Sequence, residues 1–154
     1  MQRRLFLRGS LAAGAAGVAA SAGLLTPSAV LAAWPKAAFE SKKAADAISA
    51  IGGGAAPTES ADIKIKAPDI AENGAVVPVT ISTDMADVES ISLVAEANPL
   101  PLISSTMLGE GALPYIASRI KMGKTGNVVA LVKAGGKLYS AKKQVKVTIG
   151  GCGG

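Results

Sequence analysis

From Asp62 onward the chain alternates apolar and polar residues with a period of two, in short runs broken by turn signals. No feature limits its fold more, because that period belongs to strands with one buried face. DIKIKAP sets Ile63 and Ile65 against Lys64 and Lys66 and stops at Pro68. NGAVVPVTIS opens on an Asn-Gly turn signal and aligns Val77, Val79 and Ile81 on one face, with Pro78 confining that strand to an edge or an irregular position. ESISLVAE groups Ile91, Leu93 and Ala95. The stretch Asn98-Pro99-Leu100-Pro101 interrupts, and Ile103 to Leu108 forms a further short strand. YIASRIKM sets Ile116, Ser118, Ile120 and Met122 against Tyr115, Ala117, Arg119 and Lys121. Thr125-Gly126-Asn127 turns the chain into VVALVKA, which is more continuously apolar, and Gly135-Gly136 makes a hairpin into KLYSAKKQVKVTI. Val145, Val147 and Ile149 give the last clean alternation.

Ahead of these strands, Lys36 to Ile51 reads as one helix, with Phe39, Ala44, Ala47, Ile48 and Ile51 near one face and Gly52-Gly53-Gly54 as its stop. Ala55 to Ser60 reads as a loop. About seven short strands after one helix, with no helices between strands, predict a mainly β fold. The expected architecture is an antiparallel immunoglobulin-like β-sandwich over residues 33–149.

Residues 1–32 read differently. MQRRLFLRGS places Arg3, Arg4 and Arg8 before an Ala- and Gly-rich apolar stretch that ends at Pro27, with small residues before the polar chain. That is the layout of a cleavable export signal, and the adjacent Arg3 and Arg4 fit the twin-arginine type. A membrane anchor needs about 20 strongly apolar residues, which this stretch lacks. The expected destination is the periplasm, with no membrane span after cleavage at about Ala32 or Ala33. The whole chain carries 16 Lys+Arg against 11 Asp+Glu. Three arginines leave with the signal, so the mature chain is close to neutral at +2. Its lysines are dispersed and aromatic residues make up 3% of the chain. No basic stripe points to nucleic acid.

The residues also restrict chemistry. The chain has no histidine and one cysteine, which removes the commonest general base, the commonest metal ligand and any internal disulfide. No HExxH or CxxC spacing occurs, and neither a metal site nor a cofactor is expected. Ser118-Arg119-Ile120-Lys121 has the outline of an S-x-x-K nucleophile motif, but its alternation fits a strand and no companion motif is present. No catalytic residue is assigned, and an autonomous enzyme is not expected.

The remaining candidate is Cys152, in VTIGGCGG, flanked by Gly150 and Gly151 on one side and Gly153 and Gly154 on the other. Residues 150–154 read as a flexible arm, since glycine without a Cβ turns freely. Three extended residues at ~3.3–3.6 Å each put the thiol roughly 10 Å beyond Ile149. A thin arm of that length can enter a narrow channel in another protein. An unperturbed thiol, with a pKa near ~8.5, is only slightly ionised at neutral pH. The sequence offers it no fixed positive neighbour, so a partner would have to activate it. A free thiol in an oxidising compartment is prone to oxidation and crosslinking, which weighs against an idle tail. Two alternatives stay open on the residues alone: a Cys152-linked dimer serving as a structural adaptor, and a nucleophile without a visible base. A terminal Gly-Gly also occurs in ubiquitin-like sulfur carriers, whose ATP-dependent chemistry is cytoplasmic and conflicts with an export signal.

AWPKAAFE, IKAPDIAENGAVVPVTI, VESISLVAEANPLPL and RIKMGKTGNVVALVKAGGKLYSAKKQVKVTIGGCGG, together with the twin-arginine signal, resemble the SoxY family. This is the sulfur-compound carrier family of the bacterial Sox thiosulfate-oxidising system. The resemblance spans the mature chain, and GGCGG after KVTI is its most specific part. It implies an immunoglobulin-type sandwich paired in a heterodimer with a β-rich SoxZ-like subunit, and thiosulfate joined oxidatively to Cys152 by the c-type haem protein SoxXA. It further implies release of sulfate by the metal-dependent hydrolase SoxB, leaving a persulfide, and oxidation of that sulfur by the sulfane dehydrogenase SoxCD. A folded heterodimer with one signal-bearing subunit would explain the twin-arginine route.

Overall fold

A computed structural model describes residues 34–149, and the chain divides into two units, Met1–Trp34 and Pro35–Gly154. The described residues of the second unit form two helices, α1 (Lys36–Glu40) and α2 (Ala44–Ile51), followed by nine strands. These are β1 (Thr58–Glu59), β2 (Ile63–Lys66), β3 (Ile70–Ala71), β4 (Val77–Thr83), β5 (Val88–Ala95), β6 (Leu102–Met107), β7 (Tyr115–Ile120), β8 (Gly126–Ala134) and β9 (Lys137–Val147). A larger sheet runs β1-β9-β8-β5-β6, with β3 also on β9, and a smaller one runs β2-β4-β7. The helix and strand counts correct the sequence reading.

The single helix expected over Lys36–Ile51 is broken at Ser41, whose ψ of 131° is extended. The Ser41 hydroxyl donates to the Ala37 carbonyl four residues back at 2.7 Å, occupying the acceptor that the next helical turn would use. Lys43 is extended too, and its carbonyl starts α2 by accepting from Ala47 N–H at 3.1 Å. The two additional strands are two-residue pieces, β1 and β3, both parallel to β9. Two residues are too few to show a period, so β1 lay hidden in what read as a loop. The larger pairings are antiparallel, as expected.

The core follows the alternation. Ile63, Val77, Val79, Ile81 and Ile120 of the small sheet face Ile91, Leu93, Ala95, Val128, Ala130, Val132 and Val145 of the large one, all buried. The outer side of the large sheet carries a second cluster. Val94, Leu102, Val129, Leu131 and Leu138 are buried there with Ala38 of α1 and Ala47 of α2, and Phe39, Ala44, Ile48 and Ile51 pack against them. That second cover is why VVALVKA is nearly all apolar: β8 is buried on both faces, as a strand between two layers must be.

Two backbone details fit the sequence signals. Gly135 and Gly136 take φ of 54° and 73° between the paired Ala134 and Lys137, the geometry of a two-residue hairpin that only glycine adopts readily. Pro78 sits in β4, the middle strand of its sheet. It is nevertheless locally on an edge, because the β2 ladder ends at Lys66↔Thr80. On its other side it opposes Arg119. Thr83 N–H bonds Pro114 C=O, which fixes the ladder phase and makes Pro78↔Arg119 a pair that needs no Pro78 N–H.

Candidate functional site

The residues singled out by sequence, Cys152 with Gly150, Gly151, Gly153 and Gly154, lie outside the described residues, as do Arg3 and Arg4. What the structure describes is the chain that leads up to them, ending at Ile149. β9 is the longest strand, and its ladder with β8 ends at Gly126↔Val145. Beyond that rung different groups hold the chain. On one side Lys146 N–H donates to Asp69 C=O at 2.9 Å and Thr148 N–H to Ala71 C=O at 3.1 Å, which is the short parallel pairing with β3. On the other side the Thr125 side chain replaces a β8 backbone. Its hydroxyl accepts from Val147 N–H at 2.9 Å and approaches Val147 C=O at 3.3 Å.

The Thr148 hydroxyl ties back in the same way, donating to Glu72 C=O at 3.0 Å. The last of the described residues, Ile149, is held too: its carbonyl accepts from Gly74 N–H at 2.8 Å. Gly74 belongs to the Asn-Gly turn, in which Asn73 Oδ1 accepts from Ala75 N–H at 2.8 Å, and its own carbonyl accepts from Met122 N–H at 2.7 Å. Burial falls along the same face, from Val145 at 0% exposed through half-buried Val147 to Ile149 at 66%. Packing therefore ends before hydrogen bonding does.

Lys143, reaching back from β9, bonds Ala67 C=O at 2.7 Å and pairs with Asp69 at 3.0 Å, fixing the segment that presents β3. An open groove of about 580 Å³ lies between Pro99, Leu100, Leu102 and Ile103 on one bank and Arg119, Ile120, Lys121 and Gly123 on the other. Asn98 closes one end, donating to Lys121 C=O at 2.7 Å and accepting from Gly123 N–H at 3.1 Å.

Other polar groups sit elsewhere. A hydrogen bond from Lys64 at 2.8 Å lowers the Asp84 pKa, and the same bond raises that of Lys64. Lys133 and the Gly136 N–H together hold Glu89 below the ordinary carboxylate value. Ser118 of the S-x-x-K outline is half-buried in β7 while Lys121 is exposed beyond the strand end, so the two do not form a pair. Among the described residues no cluster of three His, Cys, Asp or Glu could hold a metal, and no helix is long and apolar enough to cross a membrane.

Sequence reasoning missed Thr125, Thr148 and Ala71. They lie 22 to 77 residues from the groups they bind, and only Asn73-Gly74 left a local signal.

A family model described as "Sulfur oxidation protein SoxY" matches residues 48–152, a span that includes the cysteine. The structure is similar to that of the sulfur carrier protein SoxY from Chlorobium limicola f thiosulfatophilum, with a TM-score of 0.63 and 47% identity over 70% of this chain and 97% of that one. It also resembles a variant of the superoxide reductase (neelaredoxin) from Ignicoccus hospitalis, with a TM-score of 0.50 and 22% identity over 64% of this chain and 86% of that one. That likeness concerns the sandwich fold alone. No curated protein matches the chain. The match over residues 48–152 and the 47% identity across nearly all of the Chlorobium protein identify the chain as a member of the SoxY family.

Proposed function

We propose that this protein is a periplasmic carrier that holds intermediates of thiosulfate oxidation covalently on Cys152 and presents them to partner enzymes. One observation carries the reading: the family match runs to residue 152, the only cysteine of the chain, three residues beyond the clamped Ile149. A fixed root and a glycine-bracketed thiol together make a tether. The root keeps the reach short: at no more than ~3.3–3.6 Å per residue, the sulfur can reach up to about 10 Å out.

The chemistry follows from a thiol without local activation. In the first step an S–S bond forms between the Cys152 sulfur and the outer sulfur of thiosulfate. One proton and two electrons leave, the electrons going to a c-type haem partner of SoxXA type. The product is a cysteine S-thiosulfonate. Water delivered by a SoxB-type hydrolase then adds at the oxidised sulfur, releasing sulfate and leaving a persulfide on the arm. A SoxCD-type dehydrogenase can oxidise that outer sulfur to a sulfonate, with oxygen from three waters and six electrons passing to the dehydrogenase, and a second hydrolysis then releases sulfate and frees the thiol. The sandwich contributes no acid, base or metal to these steps. Its roles are to fix the root and to bind a β-rich SoxZ-like subunit. Export by the twin-arginine route through Arg3 and Arg4, with removal of residues 1–32, completes the reading.

Cys152→Ser is expected to abolish thiosulfate-dependent electron release in the reconstituted system while leaving the fold and the heterodimer unchanged. Turnover at the normal rate in that variant would overturn the proposal.

A further inference from the structure

The two sheets end in edges, and one of these is less protected against strand pairing than the rest. β2 carries Lys64 and Lys66 and runs into Pro68. β7 carries Arg119 and follows Pro114. β1 and β3 are two residues long. Short strands, charges and prolines are the usual means of blunting an edge. β6 is the least guarded: Pro101 precedes it and Ile103 falls out of its register with β5, but from Ser104 to Met107 it carries no charge and no proline, at the end of the large sheet.

The ladder phase shows which groups it offers. Leu108 N–H bonds Glu89 C=O at 2.9 Å, and the register pairs Met107 with Ser90, Thr106 with Ile91, Ser105 with Ser92 and Ser104 with Leu93. Antiparallel pairs alternate between bonded and non-bonded. Thr106 and Ser104 therefore turn their backbones toward β5, and the N–H and C=O of Ser105 and Met107 point away from the sheet. Met107 is 68% exposed at one end of the strand, and Leu100 is 53% exposed just before the other.

We propose that β6 is the docking edge for an extended strand of a different chain, so that the large sheet continues across a heteromeric interface. The proposal builds on the partner reading above and assigns it a surface. Only another extended backbone matches a row of outward N–H and C=O groups. The charges beside it select which one. Arg119 and Lys121 on the facing bank of the groove form no ion pair with another described residue. An occupant with a carboxylate flanking its paired segment satisfies them. A second copy would bring the uncharged LPLISSTM and its own Arg119 and Lys121 to the same margin, placing like charges together.

The test uses the mature chain with a SoxZ-like β-rich subunit, read by backbone hydrogen exchange and by affinity. Ser105→Pro removes an outward N–H, and Met107→Lys places a charge on the edge at an exposed position that the fold tolerates. The expected result is at least tenfold slower exchange at Ser105 and Met107 in the complex, and at least tenfold weaker binding by either variant. Full-affinity binding by Met107→Lys, with β6 unprotected, would overturn the docking edge and leave the partner reading intact. An unaltered chain that binds no such subunit, whether it self-pairs through β6 or stays monomeric, would overturn both.

Discussion

Thr125→Val keeps the size and branching of the side chain and removes only the hydroxyl that extends the β8–β9 ladder. That hydroxyl accepts from Val147 N–H at 2.9 Å and lies 3.3 Å from Val147 C=O. Val147 N–H faces away from β3, which is bonded instead through Lys146 and Thr148, so no other backbone acceptor replaces it. One good hydrogen bond is worth ~1 kcal/mol net, and the longer contact adds little, so local opening becomes easier by about 1–1.5 kcal/mol. Since 1.4 kcal/mol is tenfold, the Val147 amide should exchange roughly five- to tenfold faster in native-state hydrogen exchange. Amides deep in β8, such as Ala130, should be unaffected, because the change lies beyond the last rung at Gly126↔Val145. Unchanged exchange at Val147 would refute the claim that the Thr125 side chain holds the arm root.

Gly126→Ala should cost ~1–3 kcal/mol in a denaturant titration, because its new Cβ would lie 2.6 Å from Ala97 Cβ and the backbone must move; an unchanged midpoint would contradict the packing described there. Glu89 has a depressed folded pKa, so its contribution is present above the unfolded value near ~4.3 and is lost as pH falls through the lower folded value. Glu89→Gln should therefore flatten the fall in urea midpoint between about pH 5 and pH 3, and an unaltered acid limb would count against the Lys133 and Gly136 contacts as its source. Gly153→Val should slow processing by partner enzymes while leaving the urea midpoint unchanged, since a branched side chain beside the thiol widens the tether; normal rates would sink the channel-entry argument.

The period-two signal was legible wherever one face of a strand is buried, as in β2 and β4, because burial and sequence alternate together. It became ambiguous in β8, where a helical layer the pattern did not announce covers the outer face. The break at Ser41 escaped notice because the apolar spacing of Phe39, Ala44, Ala47, Ile48 and Ile51 survives it, and all of these residues still reach the second cluster. For the proposed arm, glycine spacing and a lone cysteine supplied the candidate residues, which lie outside the described ones. The anchorage of the chain before it was not legible, since Thr148 and Ala71 meet across 77 residues and nothing local marks either one. Edge protection was half legible: Lys64 and Lys66 were read as one face of a strand, but that β6 lacks such guards matters only once the strand order is known.

The central claim is that Cys152 carries sulfur, and the intact mass of the mature chain from thiosulfate-grown cells tests it most directly, taken with and without reductant and followed by the mass of the C-terminal peptide. Mass additions matching a thiosulfonate or extra sulfur atoms, lost on reduction and confined to the peptide containing Cys152, are the expected result. An unmodified thiol, or nothing beyond a plain disulfide dimer, would contradict the claim.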